Sequence, residues 1–189
     1  MPGQYEPFSA ITQRSLKHAL REANVSLAQS DVDALMKAYD SLSIFPDVAP
    51  CLTSLKSKSS ITAVVFSNGT QSMVSNSVNH SPDLAAHASA FSDIVVVEPV
   101  KKYKPAPEVY MHLAERVGKK PTEMGDLWLV SGNPFDIVGA RAVGMKAAWV
   151  DRAGAGWQDA LVVGQQGEPT VVLKSLEDLP ATLEKHAEA

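Results

Sequence analysis

What this sequence has little of sets its first bounds. It holds one cysteine, Cys51, among 189 residues, so no disulfide can close within the chain and no cysteine-based zinc site can form. No apolar run approaches the roughly 20 residues that a membrane-crossing helix needs. No basic segment followed by an apolar one opens the chain as a secretory signal would. Positive charge is not in excess either: 17 Lys and Arg stand against 21 Asp and Glu, for a formal net charge of −4, which argues against a general nucleic-acid binder. Internal repeats and low-complexity linkers are absent. The expectation is a cytoplasmic protein in a reducing compartment, with neither nucleic acid nor membrane among its partners.

What is present is ordinary for a soluble globular chain: 45% of residues are hydrophobic and 20% charged, over a length that suits one well-buried domain with a small subdomain attached. Two amphipathic helices are expected first. Phe8, Ile11, Ser15, Leu16, Ala19, Leu20 and Ala23 recur at helical spacing, with Asn24 as the stop. Ser30 with Asp33 resembles a capping box for a second helix lined by Val32, Leu35, Met36 and Tyr39.

Beyond Pro46 and Pro50, strands and helices alternate. Apolar runs at 61–66, 93–97, 127–130, 147–150 and 170–173 read as strands. Helical patterns lie between them: through Met73, Val74 and Val78, across 84–91, over 107–117, and up to Gly144. This alternation predicts an α/β fold, a parallel sheet with helices on both faces. Ligands of such sheets bind at the carboxyl ends of the strands. That rim collects Ser67-Asn68-Gly69, Lys104 and Ser131–Asp136.

Each stretch admits a plain reading and a chemical one. In Phe66-Ser-Asn-Gly-Thr70, the Ser67 and Asn68 side chains and the free N–H groups of a helix start suit an anion such as a carboxylate. The plain reading, which weighs more on this stretch alone, is an N-cap with a glycine turn. Lys104 precedes Pro105, which holds its backbone extended, and Tyr110 falls in the second turn of the next helix. A lysine fixed at the rim can neutralise a buried carboxylate or a substrate anion; a solvated loop lysine is the plain alternative. Asp136, in Ser131-Gly-Asn-Pro-Phe-Asp136, is favoured near a helix start by the dipole whatever it does. Magnesium would want more carboxylates than this loop offers. No metal and no cofactor is expected, and Ser131, Gly132 and Asn133 better suit hydrogen bonding to an organic ligand.

In this order and spacing the three stretches resemble the L-2-haloacid dehalogenase branch of the HAD superfamily, over most of the chain. The resemblance implies that Ser67-Asn68 matches the pair that binds the substrate carboxylate. Lys104 matches the lysine that pairs with the nucleophile, and Tyr110 the tyrosine six residues on. Ser131, Asn133 and Asp136 match the S-x-N-x-x-D loop. Phe135 stands where the family has an aromatic pocket wall, and Phe8 corresponds to a cap residue facing the substrate. Residues 1–45 would be a helical cap remnant and 46–189 the HAD-like α/β core. Family members open with an apolar strand ending in D-x-Y-G-T, whose aspartate attacks the substrate carbon to form an ester. None of Glu6, Glu22, Asp31, Asp33, Asp40 or Asp47 ends such a strand.

Two structural expectations follow from reading that central strand as missing. The strands ending at Ser67 and Ser131, which would flank it, should pair directly or exchange within a homodimer. Lys104 should pair with Asp136, move into solvent or bind an anion, because a buried unpaired ammonium is too costly to keep. The function expected is then non-hydrolytic. Lys104, Asp136 and Tyr110 are the catalytic groups; Ser67, Asn68, Ser131, Asn133, Phe135 and Phe8 hold a small organic substrate. Such a pocket could support a cyclisation (a pericyclic ring closure, for example), an isomerisation or an elimination in natural-product metabolism, without a covalent intermediate. The alternatives are a haloacid dehalogenase-like hydrolase and a catalytically inactive binding or scaffold protein.

Overall fold

The computed structural model describes residues 4–187. In chain order its helices are α1 (Phe8–Glu22), α2 (Gln29–Ala38), α3 (Val48–Lys56), α4 (Gln71–His80), α5 (Pro107–Arg116), α6 (Pro134–Ala142) and α7 (Leu179–Ala187). Its strands are β1 (Ala63–Ser67), β2 (Phe91–Val96), β3 (Trp128–Ser131), β4 (Lys146–Val150) and β5 (Val171–Leu173). No helix among the described residues is long and apolar enough to cross a membrane. The chain divides into two compact units. One takes the chain up to Phe45 together with Thr62–Lys101; the other takes Pro46–Ile61 together with Lys102 onward.

In the first unit, α1 ends where the sequence places its stop. Asn24 adopts a left-handed φ of 54°, a conformation that asparagine tolerates better than most residues. The capping box expected at Ser30 and Asp33 does not form. The helix begins two residues earlier than that cap implies, at Gln29, with Ala28 before it and no side-chain cap. Asp33 instead accepts a hydrogen bond from Gln29 Nε2 at 2.8 Å, since residues four apart meet on a helix surface. Of the face expected to be apolar, Val32 is buried, whereas Leu35 and Tyr39 are about half exposed. β1 and β2 pair in parallel, Val64 beside Asp93 through Ser67 beside Val96. Val74 and Val78 of α4 pack with Val96 against Val65, Phe91 and Ile94. The helical pattern across 84–91 is realised as a 3-10 segment, Ala85–Ala90.

In the second unit, β3, β4 and β5 form a parallel sheet with β4 in the middle. Its central position explains its sequence: Ala147 and Ala148 are fully buried, as is Met145 just before the strand. Cys51 and Leu55 of α3 and Leu179 of α7 cluster with Ala148 and Leu173, while α6 packs against β3 and β4. Two prolines mask the helical pattern of α3, but Pro50 lies in its first turn, where a missing N–H is tolerated.

Direct pairing of β1 with β3 is not formed: β1 is hydrogen-bonded to β2 and β3 to β4. β1 is joined to β2 through α4 and the 3-10 segment Ala85–Ala90, and β3 to β4 through α6, so each parallel pair is a strand–helix–strand crossover.

Cys51 is 2% exposed. Burial, and then the Asp47 charge, raise its thiol to a pKa of about 11. Its thiolate is therefore about a hundred-fold scarcer than that of an ordinary cysteine at neutral pH. Ellman's reagent is expected to leave the native protein unlabelled and to titrate one thiol once urea has unfolded it. Rapid native labelling would contradict the packing of α3.

Candidate active site

The second unit brings Lys104, Tyr110, Ser131 and Asp136 together, and their positions follow from local structure. Strand β3 ends at Ser131; Gly132 and Asn133 turn the chain, and Pro134 opens α6 with its fixed φ. Asp136 thus lies in the first turn of α6, where its N–H donates to the Asn133 carbonyl at 3.1 Å. Its carboxylate, near the positive end of the helix dipole, is 4% exposed at the residue level.

Lys104 reaches this carboxylate from the loop before α5. Its Nζ lies 3.1 Å from Oδ1, with side-chain exposures of 8% for the lysine and 6% for the aspartate. The contact with hydrogen-bond geometry is the one to Oδ2, at 3.3 Å. Of the three outcomes open to the lysine, pairing with Asp136 is the one realised. The Ser131 hydroxyl donates to Asp136 Oδ2 at 2.9 Å and accepts the Asn133 N–H at 3.0 Å, so a main-chain donor fixes the direction of the serine proton.

Tyr110 stands behind this pair. It is fully buried, and its hydroxyl donates to the Asp136 carbonyl at 3.4 Å. Burial, with a further contribution from the Asp136 charge, pushes that phenol well above its ordinary pKa. It is a neutral donor across the physiological range. Phe135 is 44% exposed on α6, and Asn133 is exposed as well.

Ser67, Asn68 and Phe8 belong to the first unit. Ser67 Oγ accepts the Gly69 N–H at 3.0 Å, and the cap of α4 is Thr70, whose hydroxyl accepts the Met73 N–H at 3.3 Å. The plain reading of this stretch therefore holds for Thr70. Ser67 and Asn68 are half-buried beside it, and Phe8 is half-buried on α1.

Asp151 adds a buried carboxylate at the end of β4 that periodicity did not single out. It accepts the N–H groups of Ala155 at 3.1 Å and Gly156 at 2.8 Å, and so holds the loop that leaves the sheet edge. The available signal was an acid directly after an apolar strand and before the run Arg-Ala-Gly-Ala-Gly. Among the described residues, no three His, Cys, Asp or Glu side chains gather as a metal site would require.

Against known proteins, the chain matches the haloacid dehalogenase-like hydrolase family over residues 2–144. It is 33% identical over 151 residues to (S)-2-haloacid dehalogenase 4A of Burkholderia cepacia, covering 80% of this chain and 62% of that protein. It is 33% identical over 153 residues to (S)-2-haloacid dehalogenase H-109 of Pseudomonas putida, covering 81% of this chain and 65% of that protein. The chain thus spans less than two-thirds of the length of these two relatives. A crystal structure of an L-2-haloacid dehalogenase superposes with a TM-score of 0.82 at 27% identity, over 95% of this chain and 74% of that one. The L-2-haloacid dehalogenase from Xanthobacter autotrophicus, solved with chloropropionic acid covalently bound, shares the fold: TM-score 0.79 at 24% identity, over 95% and 77%.

These similarities overturn the expectation of a non-hydrolytic cyclase, isomerase or lyase and support the hydrolytic alternative. That expectation rested on reading the nucleophile strand as missing. The Lys104–Asp136 pair that it named as one outcome does form, and it is the relatives that count against a non-hydrolytic reaction. The matched region and the shared identity place this chain in the haloacid dehalogenase-like hydrolase family.

Proposed function

We propose that this chain serves the hydrolytic dehalogenation of short 2-haloacids, with Lys104, Asp136 and Ser131 as its charged centre. The observation that carries the reading is the buried Lys104–Asp136 pair, tied to the end of β3 through Ser131, in a chain of this family. In a 2-haloacid the halogen-bearing carbon adjoins a carboxylate. A protein carboxylate attacks that carbon, forming a carbon–oxygen bond as the carbon–halogen bond breaks and the halide leaves with its electron pair. Water then adds to the carbonyl of the resulting ester, and breakdown of the adduct releases the 2-hydroxy acid and one proton.

Every participant in the first step is an anion or becomes one, so the step needs a fixed cation in a poorly hydrated place. Lys104 supplies it. Asp136 and Ser131 hold the ammonium in position, and Tyr110 supports Asp136 from behind. In this reading Asp136 orients the lysine and does not attack, because Oδ2 already takes hydrogen bonds from Ser131 and Lys104. Asn133 and Phe135, exposed on the same loop and helix, keep the role of contacting the substrate.

Chloride release from (S)-2-chloropropionate, with lactate formed in equal amount, is the expected result. A protein that neither releases chloride nor binds the acid saturably would overturn the proposal. A single turnover in H2 18O leaves the label in the carboxylate that attacked, which mass spectrometry of the digested chain identifies. Label in Asp136 would contradict its orienting role.

A further inference from the structure

We infer that Gly139 is a positioning residue for Lys104, acting through Tyr110 and Pro105. The inference deepens the proposed site and rests on Lys104 and Asp136 being its charged centre. Gly139 is buried in α6, one turn beyond Asp136. It is not among the glycines with positive φ, so conformational freedom does not explain it, and a glycine inside a helix is otherwise disfavoured.

The explanation is space. A Cβ at position 139 would lie 2.3 Å from the Tyr110 hydroxyl oxygen, 2.8 Å from Tyr110 Cζ and 2.8 Å from Pro105 Cβ. All three distances are well inside van der Waals contact. Tyr110 is fully buried on α5, so a shift of its ring has to be taken up by the side chains packed around it. Pro105 is covalently next to Lys104. A side chain at 139 therefore pushes on the two groups that set where Lys104 leaves the backbone and where Asp136 is supported. The bare Cα of Gly139 lets the Lys104–Pro105 segment and Tyr110 close onto α6, and that closure brings Nζ to 3.1 Å from Asp136.

The test is the reactivity of each lysine amine toward an N-hydroxysuccinimide ester, read by mass spectrometry on the whole protein with Lys58 and Lys119 as internal references. Wild-type Lys104, 8% exposed at its side chain, is expected to react slowly. Gly139→Ala is expected to raise Lys104 labelling by about ten-fold relative to the references, as a local opening of the pair would. Adding Tyr110→Phe removes the nearest atom and is expected to restore part of the protection, a rescue that general loosening of the fold would not show. Unchanged Lys104 labelling in a folded Gly139→Ala protein overturns the inference. So does equal labelling of the single and double variants. Should Gly139→Ala fail to fold, the double variant is compared with Tyr110→Phe alone; if the double variant also fails to fold, Gly139 serves the fold as a whole and the inference falls. Because the readout needs no substrate, its failure and the failure of the dehalogenase reading are distinguishable.

Discussion

Replacing Lys104 with alanine is expected to slow chloride release from 2-chloropropionate by about 10²–10³-fold, the loss typical when one pre-organised charge or donor is removed from a site where charge develops. The magnitude follows from burial. An ammonium in bulk water would be screened and cheaply replaced by solvent, whereas this one is largely shielded and held by a carboxylate. The variant also leaves the Asp136 carboxylate buried without its cation, so a loss of stability is expected alongside the loss of rate. Lys104→Arg separates the two effects. It keeps the charge beside Asp136 but substitutes a planar, longer group that cannot place a point charge where Nζ lies. Stability near wild type with activity still strongly reduced would mark the position of the charge, and not its presence, as what matters. A reduction below about ten-fold in Lys104→Ala would show that another group carries the step.

The second large effect concerns stability. Asp47 precedes α3, and Arg152 follows β4 by two residues; the guanidinium grips the carboxylate side-on, Nε to Oδ2 at 2.9 Å and Nη2 to Oδ1 at 3.0 Å. The Leu176 N–H adds a third donor at 2.9 Å. Asp47→Ala strands these donors and is expected to cost about 2 kcal/mol, since the pair is only partly buried. For a chain of this size that lowers the thermal midpoint by about 4–8 °C.

The same pair predicts an acid dependence. Burial alone would raise the Asp47 carboxyl, but the Arg152 hydrogen bond, the Leu176 N–H and the Arg152 charge together hold it below the usual carboxylate value. A carboxyl whose folded pKa is depressed contributes stability that is fully present above its unfolded value, about 3.9, and is lost as pH falls through the folded one. The stability gap between wild type and Asp47→Asn should therefore hold constant from neutrality down to about pH 4 and narrow below it. Thermal melts across that range measure it. A gap that widens with acid would contradict the sign.

Much of this was legible in the sequence. The five strands fall within a residue or two of their apolar runs, and α1 stops at Asn24, because these signals come from local sterics and from the repeat of burial along a strand or helix. The loop Ser131–Asp136 could be picked out because it follows the apolar run of β3 directly, whereas Lys104, which alone reads as a solvated loop lysine, was singled out by the family resemblance. The reaction was not legible. It was inferred from what the chain does not show, whereas the relatives support hydrolysis.

By itself, then, the sequence determined the alternation of elements and the parallel character of the strands. These depend on neighbours along the chain and on which side of an element faces water. Only the tertiary structure decided which strands share a ladder, that Lys104 turns to Asp136, that Asp47 meets Arg152 across 105 residues, and that Gly139 must be bare. Those outcomes depend on distances between segments remote in sequence, which no local pattern encodes.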